Sequence, residues 1–191
     1  PYPYTELDVI ATPTTAAGIE YPGAIVIAQS LYDQAGGFFE VATAHEVAHQ
    51  WWYGLVGNDQ LDEPWLDESL TGYSEYIYYQ ITAGQAQADF IKERVFEGPY
   101  HKAQKEGRDR GVAGPVASFS EEDYVAIVYS KGPLFFDAVR AKLGDQAFFA
   151  ALRAYLAAHR YGVAYPDDLI KAFDAASDKP IDDLYEFWIL S

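Results

Sequence analysis

A short pattern within residues 38–53 constrains this chain more than any other part of its sequence. His45, Glu46 and His49 follow one another in the order H-E-x-x-H, inside a segment predicted to be helical. On a helix with 3.6 residues per turn, positions i and i+4 share one face and lie about 6 Å apart along the axis. Two imidazoles placed in this way can bind one zinc ion, and the adjacent glutamate can reach a water molecule on that ion. The pattern therefore predicts a metal site that still needs a third ligand.

The residues around this pattern help to separate a metal site from a chance match. The pattern is short, and a surface helix can carry two histidines and a glutamate without any function. Here the neighbouring positions are apolar: Val41, Ala44, Val47, Ala48, Trp51 and Trp52. Unpaired histidines and a glutamate would be costly on such a helix, and a bound metal ion would satisfy them.

Glu68 is the predicted third ligand. It follows His49 by nineteen residues and lies near the start of the next predicted helix, 64–82, where Pro64 fits the first helical position. Two helices joined by a short loop can fold back so that this carboxylate completes a set of two histidines and one glutamate. Such a set leaves the fourth zinc position for water, as in catalytic sites and unlike closed structural sites.

Two further acidic residues lie on the same predicted helix. Glu75 follows Glu68 by seven residues, which is two helical turns along one face. It can hydrogen-bond a ligand imidazole and fix its tautomer; a solvated helix carboxylate is the alternative, and the sequence leaves both open. Asp67 is interpreted as a charge that favours the helix N-terminus rather than as a ligand.

The charge of the chain is strongly negative and unevenly distributed. The net charge is −16, and residues 1–91 contain no lysine or arginine. This balance argues against nucleic acid or an anionic membrane as a partner. An acidic N-terminal half would suit a divalent cation and a substrate that carries an ammonium group. A generally acidic, solubilising surface explains it equally well, and both interpretations stay open.

Length and composition indicate a single globular domain. The chain has 191 residues, half of them apolar, and can bury a substantial core. No apolar run approaches the length of a membrane span, since the segment 23–28 is only strand-sized. The absence of cysteine excludes disulfides and thiolate ligands but leaves the compartment open. Without methionine or a leader pattern, the sequence is expected to be a processed protein or an excised fragment.

Local patterns predict an α+β fold, with a small N-terminal β-sheet followed mostly by α-helices. Strands are predicted at 4–12 and 24–29, with a turn at 14–18 between them. Gly36 and Gly37 are expected to break the chain before the helix at 38–53, which Gly54 would end. Further helices are predicted at 85–105, 131–143, 145–159, 166–176 and 181–189. The irregular segment 106–120 is a candidate lid or rim of a cleft.

Several motifs together resemble one known family. HEVAHQWW, followed at the correct distance by WLDES, resembles the aminopeptidase N and leukotriene hydrolase family of gluzincin zinc metallopeptidases. The opening PYPYTELDVIAT, the segment GIEYPG and the later YSKGPLFF resemble further segments of that family, in the same order. The resemblance covers nearly the whole chain. It implies a thermolysin-like catalytic domain over residues 1–191, belonging to a larger protein with flanking β and helical domains.

The resemblance implies specific roles for the residues of the H-E-x-x-H pattern and of the following helix. One zinc ion per chain would be bound by His45, His49 and Glu68, and Glu46 would be the general base. Zinc lowers the pKa of a bound water to about 7, and a neighbouring carboxylate can take the proton as the water attacks a carbonyl. The chemistry that these residue types allow agrees with the implied roles.

Tyr129 and Glu20 take their predicted roles from the resemblance alone. Tyr129, in YSKGPLFF, would stabilise the tetrahedral intermediate, and Tyr124 is expected to line the same wall. Glu20, in GIEYPG, would bind the free α-amine of the substrate. The family has a methionine and an asparagine on either side of this glutamate, whereas this chain has Ile19 and Tyr21. The difference puts strict exopeptidase behaviour in question.

The sequence therefore predicts a zinc-dependent aminopeptidase acting on peptides with a free N-terminus. A zinc endopeptidase or an epoxide hydrolase on the same fold is the nearest alternative. A non-catalytic peptide-binding scaffold module is the alternative from another class. The scaffold is disfavoured because it would not need the complete set of His45, Glu46, His49, Glu68 and Tyr129.

Overall fold

A computed structural model describes residues 1–33 and 37–191. Gly36, one of the two glycines of the predicted chain break, lies outside the described residues. Within them, a small N-terminal sheet is followed mostly by helices, so the predicted α+β class is confirmed. None of the helices in the described ranges is both long enough and apolar enough to cross a membrane.

The N-terminal sheet has three strands: β1 (Asp8–Thr12), β2 (Gly18–Tyr21) and β3 (Ala24–Ala28). Their order is β1-β3-β2, with β1 parallel and β2 antiparallel to the central strand. The apolar residues of β3 are buried against α2, which explains why this strand is central.

Two predictions for this region need correction. The first strand begins at Asp8 rather than at residue 4. The turn predicted at 14–18 includes Gly18, which is the first residue of β2, the strand that also carries Glu20. The strand is only four residues long and forms because the tight turn at Gly23, with φ of +81°, returns the chain to pair with β3. Such pairing leaves little periodic signal in the sequence.

The helix that carries H-E-x-x-H is shorter than predicted. After the single turn α1 (Gln29–Tyr32), α2 (Phe38–Ala48) ends five residues before the predicted end at 53. His49 is its C-terminal cap, and the chain then turns through Tyr53, whose φ of 109° is unusual for a residue other than glycine. The predicted stop at Gly54 is therefore wrong. The turn leads into β4 (Val56–Gly57).

Strand β4 pairs in parallel with a distant two-residue strand, β5 (Gly162–Val163). This pairing explains why α2 cannot continue, since the chain has to leave the helix to reach β5. Tertiary contact has overridden a helical sequence pattern that runs on to residue 53.

Helix α3 (Trp65–Thr82) is the centre of the main hydrophobic core. It matches the predicted helix at 64–82, and Pro64 is its N-terminal cap. Trp65, Leu70 and Tyr73 are almost completely buried on it. The helix packs against α2 on one side and against helices of the C-terminal half on the other, so it joins the two parts of the domain.

The C-terminal half is helical, with π-helical segments where one residue more than usual closes a turn. Its elements are α4 (Gln85–Lys92), a π-helix (Glu93–Glu97), α5 (Gly98–Lys105), a 3-10 turn (Val116–Ser118), α6 (Glu121–Tyr124), a π-helix (Val125–Lys131), α7 (Gly132–Leu143), α8 (Asp145–His159), α9 (Pro166–Ala176), α10 (Asp182–Tyr185) and a π-helix (Glu186–Leu190). The predictions at 85–105, 145–159 and 166–176 agree with these bounds. The one at 181–189 is displaced by one residue at each end.

The helix predicted to begin at residue 131 begins ten residues earlier, at Glu121. Ser120 caps it, because its Oγ accepts a hydrogen bond from Asp123 N at 3.1 Å. Segments α6, the π-helix Val125–Lys131 and α7 follow one another without a break. Tyr129 therefore lies within a π-helical turn rather than in a loop before a helix.

Candidate metal centre

Three potential ligand atoms converge between α2 and α3. His45 Nε2 lies 3.1 Å from His49 Nε2 and 3.1 Å from Glu68 Oε2. The third side, from His49 Nε2 to Glu68 Oε2, is 3.3 Å. The two histidines come from the last turn and cap of α2, and Glu68 comes from the first turn of α3. The short chain between these helices brings the three atoms into a nearly equilateral triangle.

The shape of this triangle fits a zinc ion. In a tetrahedral zinc site with bonds of about 2.0–2.2 Å, neighbouring ligand atoms lie about 3.3–3.6 Å apart, a few tenths of an ångström more than the 3.1–3.3 Å sides of this triangle. Two imidazole nitrogens and one carboxylate oxygen are also a donor set that zinc accepts. Three ligands occupy one face of a tetrahedron, and the fourth position remains available for water or substrate.

Hydrogen bonds to the other ring nitrogens orient the two imidazoles. His49 Nδ1 lies 3.0 Å from the carbonyl oxygen of Trp52 and 3.2 Å from Thr71 Oγ1. A carbonyl oxygen can only accept, so Nδ1 carries a hydrogen, and in the neutral ring that a metal ion would bind, the lone pair is then on Nε2 and points into the triangle. His45 Nδ1 lies 2.6 Å from Glu75 Oε1, and a carboxylate acceptor there likewise requires a hydrogen on Nδ1 of His45.

Of the two interpretations that the sequence leaves open for Glu75, the structure places it against a histidine ring rather than in solvent, whereas the partners of His49 are not predicted. The Trp52 contact uses a backbone carbonyl, which has no residue signature. Thr71 follows Glu68 by three residues on α3, and this spacing is a signal that could have indicated it.

Glu68 also binds Tyr129, so the triangle extends to the π-helical turn. Tyr129 Oη donates a hydrogen bond to Glu68 Oε1 at 2.8 Å. Burial opposes the charge on Glu68, but hydrogen bonds from His45 and His49 outweigh burial, and the pKa of Glu68 is far below its usual range. Burial and the charge of Glu68 raise the pKa of Tyr129 well above the usual value. Tyr129 is therefore a neutral phenol and a hydrogen-bond donor.

Glu46 lies beside the triangle in a buried position, with 5% of its surface exposed. Its Oε2 has no hydrogen-bond partner among residues 1–33 and 37–191. Burial raises the pKa of Glu46 to about 7, although the charges of His45 and His49 act in the opposite direction. A Cβ atom on Gly18 would overlap the Glu46 carboxylate, so the glycine at the start of β2 makes room for this side chain.

Glu20 faces the same region from strand β2. One carboxylate oxygen each of Glu20 and Glu46 and one ring nitrogen of His49 all lie within 4.8 Å of one another. Gln60 Nε2 donates a hydrogen bond to Glu20 Oε1 at 2.9 Å. The structure thus brings Glu20 next to the candidate metal ligands, although it lies on a different element from all of them.

A buried glutamine fixes the end of the sheet to the end of α2. Gln50 Oε1 accepts a hydrogen bond from Gly23 N at 2.8 Å, and its Nε2 donates to the carbonyl oxygen of Tyr21 at 3.1 Å. The side chain is 2% exposed. Because Gln50 follows His49 directly, it positions strand β2, and with it Glu20, relative to the metal ligands.

Two tyrosines form one wall of the site. The ring of Tyr129 lies 5.7 Å from the ring of His45, measured between centroids. Tyr124 packs edge-to-face on Tyr129 with centroids 5.3 Å apart. Tyr124 therefore lies beside Tyr129 in this wall and is farther along it from His45.

Asp67 is not part of the triangle, in agreement with its interpretation as a residue that is not a ligand. It is nevertheless buried, with 2% of its surface exposed, and is bound by two amides. Asn58 Nδ2 donates to Oδ1 and Gln60 Nε2 donates to Oδ2, both at 2.9 Å. Burial, together with the adjacent charge of Glu68, raises the pKa of Asp67 to about 6. The sequence does not predict either amide partner.

An apolar groove of about 770 Å³ lies against another part of α2. Its lining includes Ala44, Val47, Trp51, Leu152 and Leu156, and none of the three triangle residues. The groove supplies no set of metal ligands, so it is separate from the candidate metal centre.

Solved structures with the same fold are zinc metallopeptidases. One is an M1 zinc metallopeptidase variant from Deinococcus radiodurans with a bound Tyr-Ser-Ala substrate, which matches with a TM-score of 0.78 and 19% identity. Another, a two-domain M1 zinc metallopeptidase variant with bound L-tryptophan, matches with a TM-score of 0.80 and 20% identity. Each match covers 100% of this chain and 40% of the solved chain. The chain thus has the fold of these M1 zinc metallopeptidases.

The chain belongs to peptidase family M1, because the model of the peptidase family M1 domain matches residues 1–188. Aminopeptidase M1 of Arabidopsis thaliana is 32% identical over 98% of this chain. Aminopeptidase N of Lactococcus lactis subsp. lactis is 32% identical over 78% of it. The chain spans only 22% and 18% of the length of these two relatives. As a member of this family, the chain is a zinc metallopeptidase domain, and Zn²⁺ is its expected cofactor.

Proposed function

We propose that this domain is the catalytic part of a zinc-dependent aminopeptidase, which removes residues from peptides with a free N-terminus. The observation that carries this proposal is the position of Glu20, whose carboxylate lies within 4.8 Å of Glu46 and His49. A carboxylate in that position can pair with the ammonium group of a substrate whose first peptide bond lies at the metal centre. The names of the relatives from Arabidopsis thaliana and Lactococcus lactis agree with this activity.

Three residues would hold the metal ion. His45 and His49 would contribute Nε2, and Glu68 would contribute Oε2. When bound, zinc supplies a Lewis acid that polarises the scissile carbonyl and makes water a nucleophile near neutral pH. Glu75 and the carbonyl of Trp52 keep the ligand imidazoles in the required tautomer.

Glu46 and Tyr129 are the proposed catalytic residues. Glu46 has a buried carboxylate beside the ligands, and its Oε2 has no hydrogen-bond partner in the described part of the chain, so it can accept the proton of the attacking water and pass it to the leaving amine. Tyr129 has its hydroxyl at the same centre, hydrogen-bonded to Glu68. It can donate a hydrogen bond to the oxyanion that develops on the substrate carbonyl.

The test compares an aminoacyl p-nitroanilide with its N-acetylated form, using the zinc-loaded full-length protein. We expect hydrolysis of the free compound and at least about 100-fold slower hydrolysis of the acetylated one, because acetylation removes the ammonium group that a charge-assisted contact would bind. Glu20→Gln should abolish most of this preference. Glu121→Gln, an exposed glutamate on α6, is the matched control and should keep it.

Each alternative has a distinct outcome in this experiment. Equal hydrolysis of both compounds would contradict the role of Glu20 and support an endopeptidase. Hydrolysis of an epoxide without hydrolysis of either anilide would support an epoxide hydrolase. No hydrolysis by protein that contains one zinc ion per chain would support a peptide-binding scaffold.

A further inference from the structure

We infer that Gln60 is a positioning residue of the amine-binding subsite, where it holds the carboxylate of Glu20 in place by bridging it to Asp67. The inference rests on the proposed function, because it takes Glu20 to be the group that binds the substrate ammonium. Gln60 lies in the loop between β4 and α3 and belongs to none of the predicted motifs.

Both hydrogens of the Gln60 amide are used in this bridge. Nε2 donates to Glu20 Oε1 and to Asp67 Oδ2, each at 2.9 Å. A side-chain amide nitrogen has two hydrogens, so the two carboxylates account for its complete donor capacity. The bridge leaves the second oxygen of Glu20, Oε2, for an incoming ligand. No hydrogen bond to this oxygen occurs within the described parts of the chain.

Asp67 provides the fixed end of the bridge. It lies in the first turn of α3, next to Glu68, and is held by Asn58 as well as by Gln60. Glu20, in contrast, lies on the four-residue edge strand β2. Gln60 thus connects a side chain on a short edge strand to the helix that supplies a metal ligand. This connection determines how far the substrate ammonium binds from the metal.

The bridge also reduces an electrostatic cost. Glu20 and Asp67 are carboxylates that repel one another, and each gains a charge-assisted hydrogen bond from the neutral amide between them. Neither side chain beside Glu20 on strand β2 carries an amide, because these are Ile19 and Tyr21. The side chain of Tyr21 is 56% exposed. The loop residue therefore supplies the amide that the strand lacks.

Two hydroxamates that differ only in an amine test this inference. Leucine hydroxamate has both a metal-binding group and an α-amine, and 4-methylpentanohydroxamate has the metal-binding group alone. We expect Gln60→Leu in the zinc-loaded full-length protein to weaken leucine hydroxamate about tenfold, as for the loss of a hydrogen bond to a charged group. Binding of 4-methylpentanohydroxamate, measured by the same calorimetric titration, should change less than twofold.

Further variants separate positioning from a general structural effect. Gln60→Asn keeps the amide but is one methylene too short to reach both carboxylates, so it should also weaken leucine hydroxamate selectively. Asn58→Leu removes the other amide from Asp67 and leaves the contact with Glu20 intact. It should largely keep the selectivity for the amine. Gln87→Leu, on the exposed surface of α4, should change neither affinity.

The outcomes distinguish this inference from the proposed function. If wild-type protein bound both hydroxamates equally well, Glu20 would not bind an amine and the proposed function would be wrong. If wild-type protein preferred the amine and Gln60→Leu kept that preference, only the role of Gln60 would be overturned. Equal weakening of both hydroxamates, or the same selective loss in Asn58→Leu, would also overturn it.

Discussion

Glu46 and Glu68 belong to the same metal centre, but their surroundings shift their pKa values in opposite directions. Hydrogen bonds from both histidines keep Glu68 ionised, which suits a ligand. Burial raises the pKa of Glu46 to about 7, which suits a group that takes up and returns a proton near neutral pH. Two carboxylates with separated pKa values commonly divide the roles in an active site in this way.

Glu46→Gln should lower kcat by at least about 100-fold, because an amide cannot accept the proton of the attacking water. Zinc content, measured by atomic emission, should stay at one ion per chain, since Glu46 is not a ligand in the triangle. Glu121→Gln, the exposed glutamate on α6, should keep wild-type activity. Activity close to wild type in Glu46→Gln would show that another group removes the proton.

Tyr129→Phe should lower kcat by about 10²–10³-fold, as for the loss of one oxyanion donor. Steady-state kinetics should show KM within a few-fold of wild type, and zinc content should be unchanged. The control is Tyr161→Phe, which removes a hydroxyl from a side chain that is 62% exposed. Loss of zinc in Tyr129→Phe would mean that the hydroxyl acts by holding Glu68 rather than the substrate.

At the residue scale, the sequence predicts residues with a characteristic type and spacing, and apart from Glu75 it misses the groups that hold them. His45, His49 and Glu68 follow a fixed spacing because helical geometry imposes it, and the structure brings them together. Gln60 depends on a loop conformation, and the carbonyl of Trp52 depends on where α2 ends. No local sequence pattern indicates Gln60 or the carbonyl of Trp52 as a partner.

At the scale of helices and strands, the sequence predicts the long periodic elements well and does not predict the short or irregular ones. Helix α3 matches its prediction because its burial pattern extends over eighteen residues. Strand β2 has four residues and depends on pairing with β3. The π-helix Val125–Lys131 has the composition of an ordinary helix, so no local pattern indicates its wider turns.

The approach of α3 to α7 depends on one glycine. A Cβ atom on Gly132 would overlap Ser69 Oγ, which donates a hydrogen bond to the carbonyl oxygen of Val128 at 2.7 Å. The φ of Gly132 is −57°, an ordinary helical value. The position therefore requires glycine for space rather than for backbone conformation.

Gly132→Ala should lower the free energy of unfolding by about 1–3 kcal/mol, because the added methyl group forces two packed helices apart. In an unconstrained helix the same change would raise stability. Urea denaturation measures the difference, and Gly37→Ala is the control because a Cβ there meets no atom of residues 1–33 or 37–191 within 4 Å. Unchanged or increased stability of Gly132→Ala would show that the helices tolerate a wider separation.

On the scale of the whole molecule, the metal ligands connect separately stabilised parts of the chain. His45 and His49 lie at the end of α2, which packs on the small sheet, and Glu68 lies on α3 in the main core. Zinc bound by all three would add to the stability of the folded domain, since the unfolded chain does not hold the ligands together.

Removal of zinc with a chelator should therefore lower Tm, and added zinc should restore it. A ligand at a thousandfold excess over its Kd stabilises the folded state by about 4 kcal/mol. Differential scanning calorimetry measures the change. Glu68→Gln is the control, because a neutral amide is a much poorer ligand and the response to zinc should shrink. If the chelator left the Tm of the wild-type protein unchanged, a metal site in this triangle would be contradicted.

The two imidazoles differ in how their outer nitrogens are held, and this difference affects what mutation can change. His45 Nδ1 meets a side chain, Glu75, at 2.6 Å, whereas His49 Nδ1 meets the main-chain carbonyl of Trp52 at 3.0 Å and the side chain of Thr71 at 3.2 Å. An amino-acid substitution at Glu75 would remove or move this carboxylate and so change the basicity of the His45 imidazole. No replacement of the Trp52 side chain removes the carbonyl that faces the second. Substitution at position 75 would therefore change the only hydrogen-bond contact of His45 Nδ1 within residues 1–33 and 37–191, whereas His49 Nδ1 would keep its main-chain acceptor whatever side chain stands at position 52 or 71.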